Sequence, residues 1–306
     1  MTTLSVNICA LKVQGVAMSE KQEKIKVRRV QFGHDSTAQR YWFNGNAFAT
    51  HFLNSLHSVF PDGERLFIRS VRYYEKLIQN PELKERVKGF IGQEVQHGLQ
   101  HQKFFETLKE QGFDVDVFVQ WYKDAAYEKY LEPFFRAIIG SKRLADMGSL
   151  SVTAALEHYT ATLAEVVLKD PDTFLQGVPD DMKKMLMWHA AEEIEHKSVA
   201  YDVYVEQCDN NYPMRMFGFT TATIFFFFFI ASGWGWYIAN DKEWKWSDLP
   251  GNILQAAPVY LNLAWGFIQG AIPYLKPDFH PDQISNTQLA KQFFDLQSQY
   301  FAERSA

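Results

Sequence analysis

Two copies of one short pattern lie about a hundred residues apart in this chain: Glu94-x-x-His97 in FIGQEVQHGLQH and Glu193-x-x-His196 in WHAAEEIEHKSVA. A carboxylate and an imidazole three residues apart project from the same side of a helix, so one metal ion can take both. Each pattern follows a solitary glutamate, Glu64 in FPDGERLF and Glu157 in ALEHYT, 30 and 36 residues upstream. Glu, Glu-x-x-His, Glu, Glu-x-x-His is the ligand order of a dinuclear carboxylate centre inside a four-helix bundle, one contribution per helix. Carboxylates are hard donors that bridge two ions, and imidazole suits iron, manganese or zinc. The expected cofactor is therefore two metal ions, iron first, with manganese or zinc as alternatives. Glu64 and Glu157 are expected to be terminal, Glu94 and Glu193 bridging, with His97 and His196 one to each ion.

A lone Glu-x-x-His is more often a solvated helix face. Here the neighbours are apolar: Phe90, Ile91 and Val95 around the first copy, Met185 to Trp188, Ala190 and Ala191 around the second. Buried carboxylates need a compensating charge, which a dication supplies. His101, four residues after His97, and His189, four before Glu193, share these stripes. Both are candidate catalytic groups, as extra ligands or as proton-handling neighbours; the plainer alternative is a core histidine one turn away. Glu192 and Glu195 permit a rival register with His189 and His196, but it breaks the match to the first copy. They read as solvent-side or outer carboxylates. His158 points roughly 100° away from Glu157 and is not expected to bind metal. Asp62, Arg65, Arg69 and Arg72 form a polar face from which an arginine can reach a ligand carboxylate.

The elements that must carry these residues are helical, since no strand-like alternation persists. Helices are expected at 46–59 and 62–79, separated by a turn at Pro61-Asp62-Gly63, then at 82–111, 149–168 and 179–208. One or two helices cross between the pairs through 114–138. This describes an all-α, ferritin-like four-helix bundle with extra C-terminal hydrophobic helices. The organisation expected is a flexible leader at 1–35, the metal-binding bundle at 36–212, and a hydrophobic hairpin with an amphipathic tail helix (284–303) at 213–306. Met216 to Asn240 carries no charge and, as a helix, spans roughly 37 Å, enough to cross a bilayer. Leu249 to Leu275 is a weaker, proline-broken candidate. The two form either a membrane hairpin with Trp234, Trp236, Trp244 and Trp246 at the interface, or a buried pair covering the bundle.

A net charge of −5 over 306 residues leaves no basic footprint, so nucleic acid is not an expected partner. Cys9 and Cys208 imply no disulfide framework and fit a reducing compartment. The first twenty residues lack the features of a signal peptide. The expected location is the cytoplasm, with attachment to the inner membrane through 216–275 as the open alternative.

At FPDGERLFIRSVRYY, FIGQEVQHGLQH, LEHYTA, WHAAEEIEHKSVAYDVY and YLKPDFHPD, between about residues 40 and 283, the chain resembles the bacterial family of predicted metal-dependent hydrolases. The resemblance implies a ferritin-like metal enzyme and carries Glu64, Glu94, His97, His101, Glu157, His189, Glu193 and His196 across as its site. The anionic donor set itself suits dioxygen chemistry. The expectation is an O2-activating di-iron oxidase or oxygenase acting on an apolar or amphipathic substrate, lipid-like or an amine, with an electron donor as a candidate partner. The alternatives are hydrolysis by a metal-bound water and, below that, ferroxidase or iron handling.

Overall fold

The computed structural model describes residues 24–32 and 39–298. Among these there are helices and no strands: α1 Ala47–Tyr74, α2 Pro81–Glu110, α3 Val115–Lys123, α4 Leu131–Ile139, α5 Lys142–Lys169, α6 Pro171–Phe174, α7 Asp180–His196, α8 Val199–Cys208, α9 Tyr212–Asn240, α10 Leu249–Tyr274 and α11 Thr287–Leu296. The starts of the long helices are written locally. Asn46 Oδ1 caps α1 by accepting from Ala49 N–H, and Ser141 Oγ caps α5 through Leu144 N–H. Asn80 caps α2 with Pro81 in its first turn.

The bundle is built from α1, α2, α5 and the α7–α8 segment. α9 lies along α5 and α1, α10 packs on the same two helices, and α11 packs on α7. Three expected boundaries are corrected. The turn at Pro61-Asp62-Gly63 does not form: α1 runs through it, because Val59, Pro61 and Leu66 are all buried and packing overrides proline's unfavourable helix preference. The single helix at 179–208 is instead two, broken immediately after His196. Lys197 Nζ there donates to Ile284 O and Asn286 Oδ1, both at 2.6 Å, and Ser198 Oγ accepts from Arg86. The prolines of the second apolar stretch, Pro258 and Pro273, lie inside a continuous α10. The tail helix α11 ends at Leu296, and residues 299–306 lie outside those described.

Within the stretch read as a leader, residues 24–32 run extended as a strap along α2. Two glycines let it approach. A Cβ on Gly89 would fall 2.6 Å from the Cβ of Ile25, and one on Gly92 would collide with the Val27 side chain. Gln93 Nε2 donates to Lys26 O at 3.1 Å and Gln100 Nε2 to Val30 O at 2.8 Å. Val30 and Phe32 are buried, Phe32 against Trp188. Residues 1–23 and 33–38 lie outside those described.

Among the described residues α9 is the one helix long and apolar enough to cross a membrane. One of its faces is a bundle face: Ser55 Oγ donates to Ile230 O, Ser58 and Tyr237 share a hydroxyl bond, and Thr223 meets Tyr159. Its other face exposes Ile224, Phe227 and Phe228, and α10 exposes Leu254, Leu261 and Trp265 beside it.

Candidate metal centre

Four helices bring all eight expected residues to one place. α1 gives Glu64; α2 gives Glu94, His97 and His101; α5 gives Glu157; α7 gives His189, Glu193 and His196, and every one is buried. Ligand atoms of Glu94, Glu157 and His196 lie within 4.8 Å of one another, as do those of Glu64, Glu94 and His97. Glu64, His101 and His189 form a third such group, and His97, His189 and Glu193 a fourth. Glu94 therefore belongs to a set at each end of the cluster. Glu193 also faces both ends: Oε2 is 3.3 Å from His196 Nε2, while Oε1 is 2.8 Å from His189 Nε2 and 3.6 Å from His97 Nδ1.

Both carboxylate oxygens of Glu64, Glu94 and Glu157, and Nδ1 of His97, are buried without a well-formed hydrogen bond; Glu94 Oε1 and Glu157 Oε2 crowd the one imidazole of His196 at 3.1 and 3.3 Å, and Glu64 Oε1 lies 3.6 Å from His101 Nε2. Such groups carry a desolvation penalty of about 1–3 kcal/mol each or more unless something binds them. Seven such atoms converging between four helices, with one imidazole shared by two carboxylates, are what a metal centre requires of its protein, and the residues present fit one.

The family model described as predicted metal-dependent hydrolase matches residues 26–285. The chain belongs to that family. No curated protein and no solved structure matches it. The family span begins at residue 26 and so takes in the strap, further than the resemblance from about residue 40 reached. The match corrects the expectation of a di-iron oxidase or oxygenase over a hydrolase. Carboxylate and imidazole donors serve hydrolytic and oxidative centres alike, so residue types and spacing fix a metal site without fixing its reaction.

In this member of the hydrolase family, outer hydrogen bonds fix which nitrogen each histidine offers. His97 Nε2 pairs with Glu192 Oε2 at 3.1 Å, turning Nδ1 inward. His196 Nδ1 pairs with Gln93 Oε1 at 2.8 Å, turning Nε2 inward. Glu192 is fully buried and is held by Arg28 of the strap at 3.0 Å, and Arg28 also takes Glu195 through two bonds of 2.7 and 2.8 Å. His101 sits between His57 (Nδ1 to Nδ1, 2.7 Å) and His189 (3.1 Å). Thr160 donates to Glu193 Oε2 at 2.5 Å. His158 turns away to Gly270 O, as expected. The arginine face of α1 does not reach the ligands in the bonds seen: Arg65 pairs with Asp62 and Arg69 with Glu132.

Electrostatics follow from four carboxylates in one dry space. Burial, then the charges of neighbouring glutamates, push Glu64 and Glu157 well above the usual carboxylate range; burial also raises Glu94, against the pull of His196. Burial would raise Glu193 too, but His196 and His189 outweigh it and hold it well below that range. His196 is raised because Glu193 and Glu157 overcome its burial, whereas burial and His189 depress His97. Burial lifts Glu192 to about 8 despite Arg28. Protons thus do in the metal-free cluster the neutralising that a dication does when bound.

Arg28, His57, Gln93 and Thr160 are the site residues that sequence reasoning missed. Gln93 and Thr160 each lie within three residues of a ligand, a usable signal; Arg28 and His57 carry none.

Proposed function

We propose that this chain is a hydrolase in which two divalent ions, held by Glu64, Glu94, His97, Glu157, Glu193 and His196, activate a water against an acyl substrate. The observation that carries this reading is the sharing of Glu94 between two three-residue ligand sets, joined to the family match. The donor set suits manganese, iron or zinc. When bound, such ions act as Lewis acids and bring the pKa of a water toward neutrality. The protein's part is placement. Glu94 and Glu193 face both ends of the cluster, Glu192 and Gln93 lock the imidazoles, and Thr160 orients Glu193. His189 lines a cavity beside the centre and is bonded to Glu193, so it is the group placed to carry a proton between water and leaving oxygen.

The test is metal content together with hydrolysis of a short activated ester, 4-nitrophenyl acetate, by protein loaded in turn with zinc, manganese and ferrous iron. The expected result is about two ions per chain, turnover without added reductant, and loss of both in Glu94→Gln. Two bound ions with no hydrolysis of ester, amide or phosphoester probes would overturn it.

A further inference from the structure

The centre is flanked by two cavities that share Phe60 and Thr160 in their walls. Phe60 stands beside the metal cluster, its ring 5.0 Å from that of His101 and 5.5 Å from that of His189. The smaller cavity, about 100 Å³, reaches His189 and Glu193. The larger, about 150 Å³, runs from Thr160 outward between α1, α4, α5 and α9.

The larger cavity offers an incoming molecule almost nothing polar. Its only charged wall residues, Glu132 and Arg136, bond each other at 2.9 Å, and Arg136 also takes Asp146. The Tyr122 and Tyr127 hydroxyls bond each other. The space is many times the ~10–15 Å³ that a single water-sized group needs, so it takes a chain of several methylenes. Gly63 keeps it open: it lines the cavity, and a Cβ built there meets nothing within 4 Å. The outer wall is α4, which has no fully buried residue. Leu131, Phe135 and Ile139, spaced four apart, face the cavity, while Phe134 and Ile138 face outward and are exposed. A π-helical turn at Asp124–Glu128 precedes α4, and Gly140, at φ +66°, ends it.

We propose that this cavity is an acyl-chain chamber, and that the substrate is a neutral ester of a medium-length fatty acid. The proposal rests on the hydrolase reading. The chain lies along α1 and α9 beneath α4, and the ester carbonyl stops at Thr160, next to Glu193. Water adds to the acyl carbon, the carbon–oxygen single bond breaks, and the alcohol leaves with a proton, giving the fatty acid.

Two measurements on the full-length protein test this. The first is equilibrium binding of the methyl ester of a dansyl-labelled undecanoic acid to metal-free protein, with displacement by unlabelled methyl esters of acids of two to fourteen carbons. The second is kcat/KM of the metal-loaded protein on 4-nitrophenyl esters of the same lengths. Burying one methylene is worth about fourfold, or about 0.8 kcal/mol. Affinity and kcat/KM should therefore climb several-fold per added carbon and level off within the series, once the chain fills the chamber. Gly63→Leu and Val152→Trp, which fill the chamber from α1 and α5, should each lower the ratio of long-chain to short-chain turnover at least tenfold and weaken the dansyl probe. Two variants on different helices, and a length series on the unaltered protein, keep the test independent of one misfolded mutant. Turnover of the acetate with no dependence on chain length and no probe binding would overturn the chamber while leaving the hydrolase reading intact. Length-dependent binding without hydrolysis of any ester would support the chamber and overturn the reaction.

Discussion

Glu64 accepts no hydrogen bond at either oxygen, and its Oε1 lies 3.6 Å from His101 Nε2, in a space already holding three other carboxylates. Its effect on stability should therefore change sign with metal. In the metal-free protein burial makes Glu64 hold a proton that the unfolded chain gives up at neutral pH, and Glu64→Gln removes that cost, so it should stabilise by about 1–3 kcal/mol at pH 7; in the loaded protein it removes a ligand and should destabilise. Thermal unfolding with and without chelator reads both, and a loss in both states would contradict the assignment. One layer out, Glu192→Gln keeps the shape but weakens the grip on His97 and Arg28. Metal affinity should fall roughly 10–100-fold with the ligands unchanged, as competition with a chromogenic chelator would show. The eight inner residues were legible because a helix turns a spacing of three or four into a shared face. Arg28 was not, because it meets Glu192 across 164 residues of chain, and no local rule relates them.

At the level of elements, composition located helices well and their interruptions poorly. Pro61 reads as a stop yet lies mid-helix, since burial on α2 and α9 outweighs local preference. The break after His196 has no proline or glycine to announce it; it is held by Lys197 reaching the segment before α11 and by Ser198 meeting Arg86. The close seat of the strap on α2 depends on two positions without side chains. Gly92→Ala would drive a methyl into Val27. The expected cost is about 1–3 kcal/mol in urea unfolding, despite alanine's better helix propensity. An unchanged or raised midpoint would mean the strap yields freely.

Across the whole molecule, one buried acid joins the end of α9 to the N-terminal part, beside the hydrogen bonds that α1 makes to α9 and Asn46 makes to α10. Asp241, at the end of α9, accepts from Arg40 at 2.6 and 3.0 Å and from Tyr41 at 2.8 Å, and meets His51 at 2.8 Å. Burial works against its ionisation, but the bonds from His51, the Glu243 N–H, Arg40 and Tyr41 outweigh it and hold its pKa well below the ordinary value. The unfolded chain therefore binds the proton more tightly. The stabilisation is fully present above about pH 4 and drains away as pH falls through the folded pKa. Asp241→Asn should lose on the order of 2 kcal/mol at pH 7 and progressively less below pH 4, where wild type loses the same interaction. A deficit constant from pH 7 to pH 3 would show that shape, and not charge, is what Asp241 contributes. The charge-free stretch at 216–240 was visible in the sequence, but hydropathy alone did not reveal that one of its faces bonds to α1 and α5.

The strap has one more consequence. It lies along α2 with Arg28 closed over Glu192 and stacked on Phe294 of α11, so the outer bonds on this side of the cluster run through extended chain. Local opening of such a segment takes far less energy than unfolding the bundle. Ions bound at the cluster should then exchange at a rate set by how often the strap lifts, which a chelator time course reads separately from affinity. Loosening the strap at Gly92 would let a chelator strip the ions sooner while the ligand set that holds them stays whole.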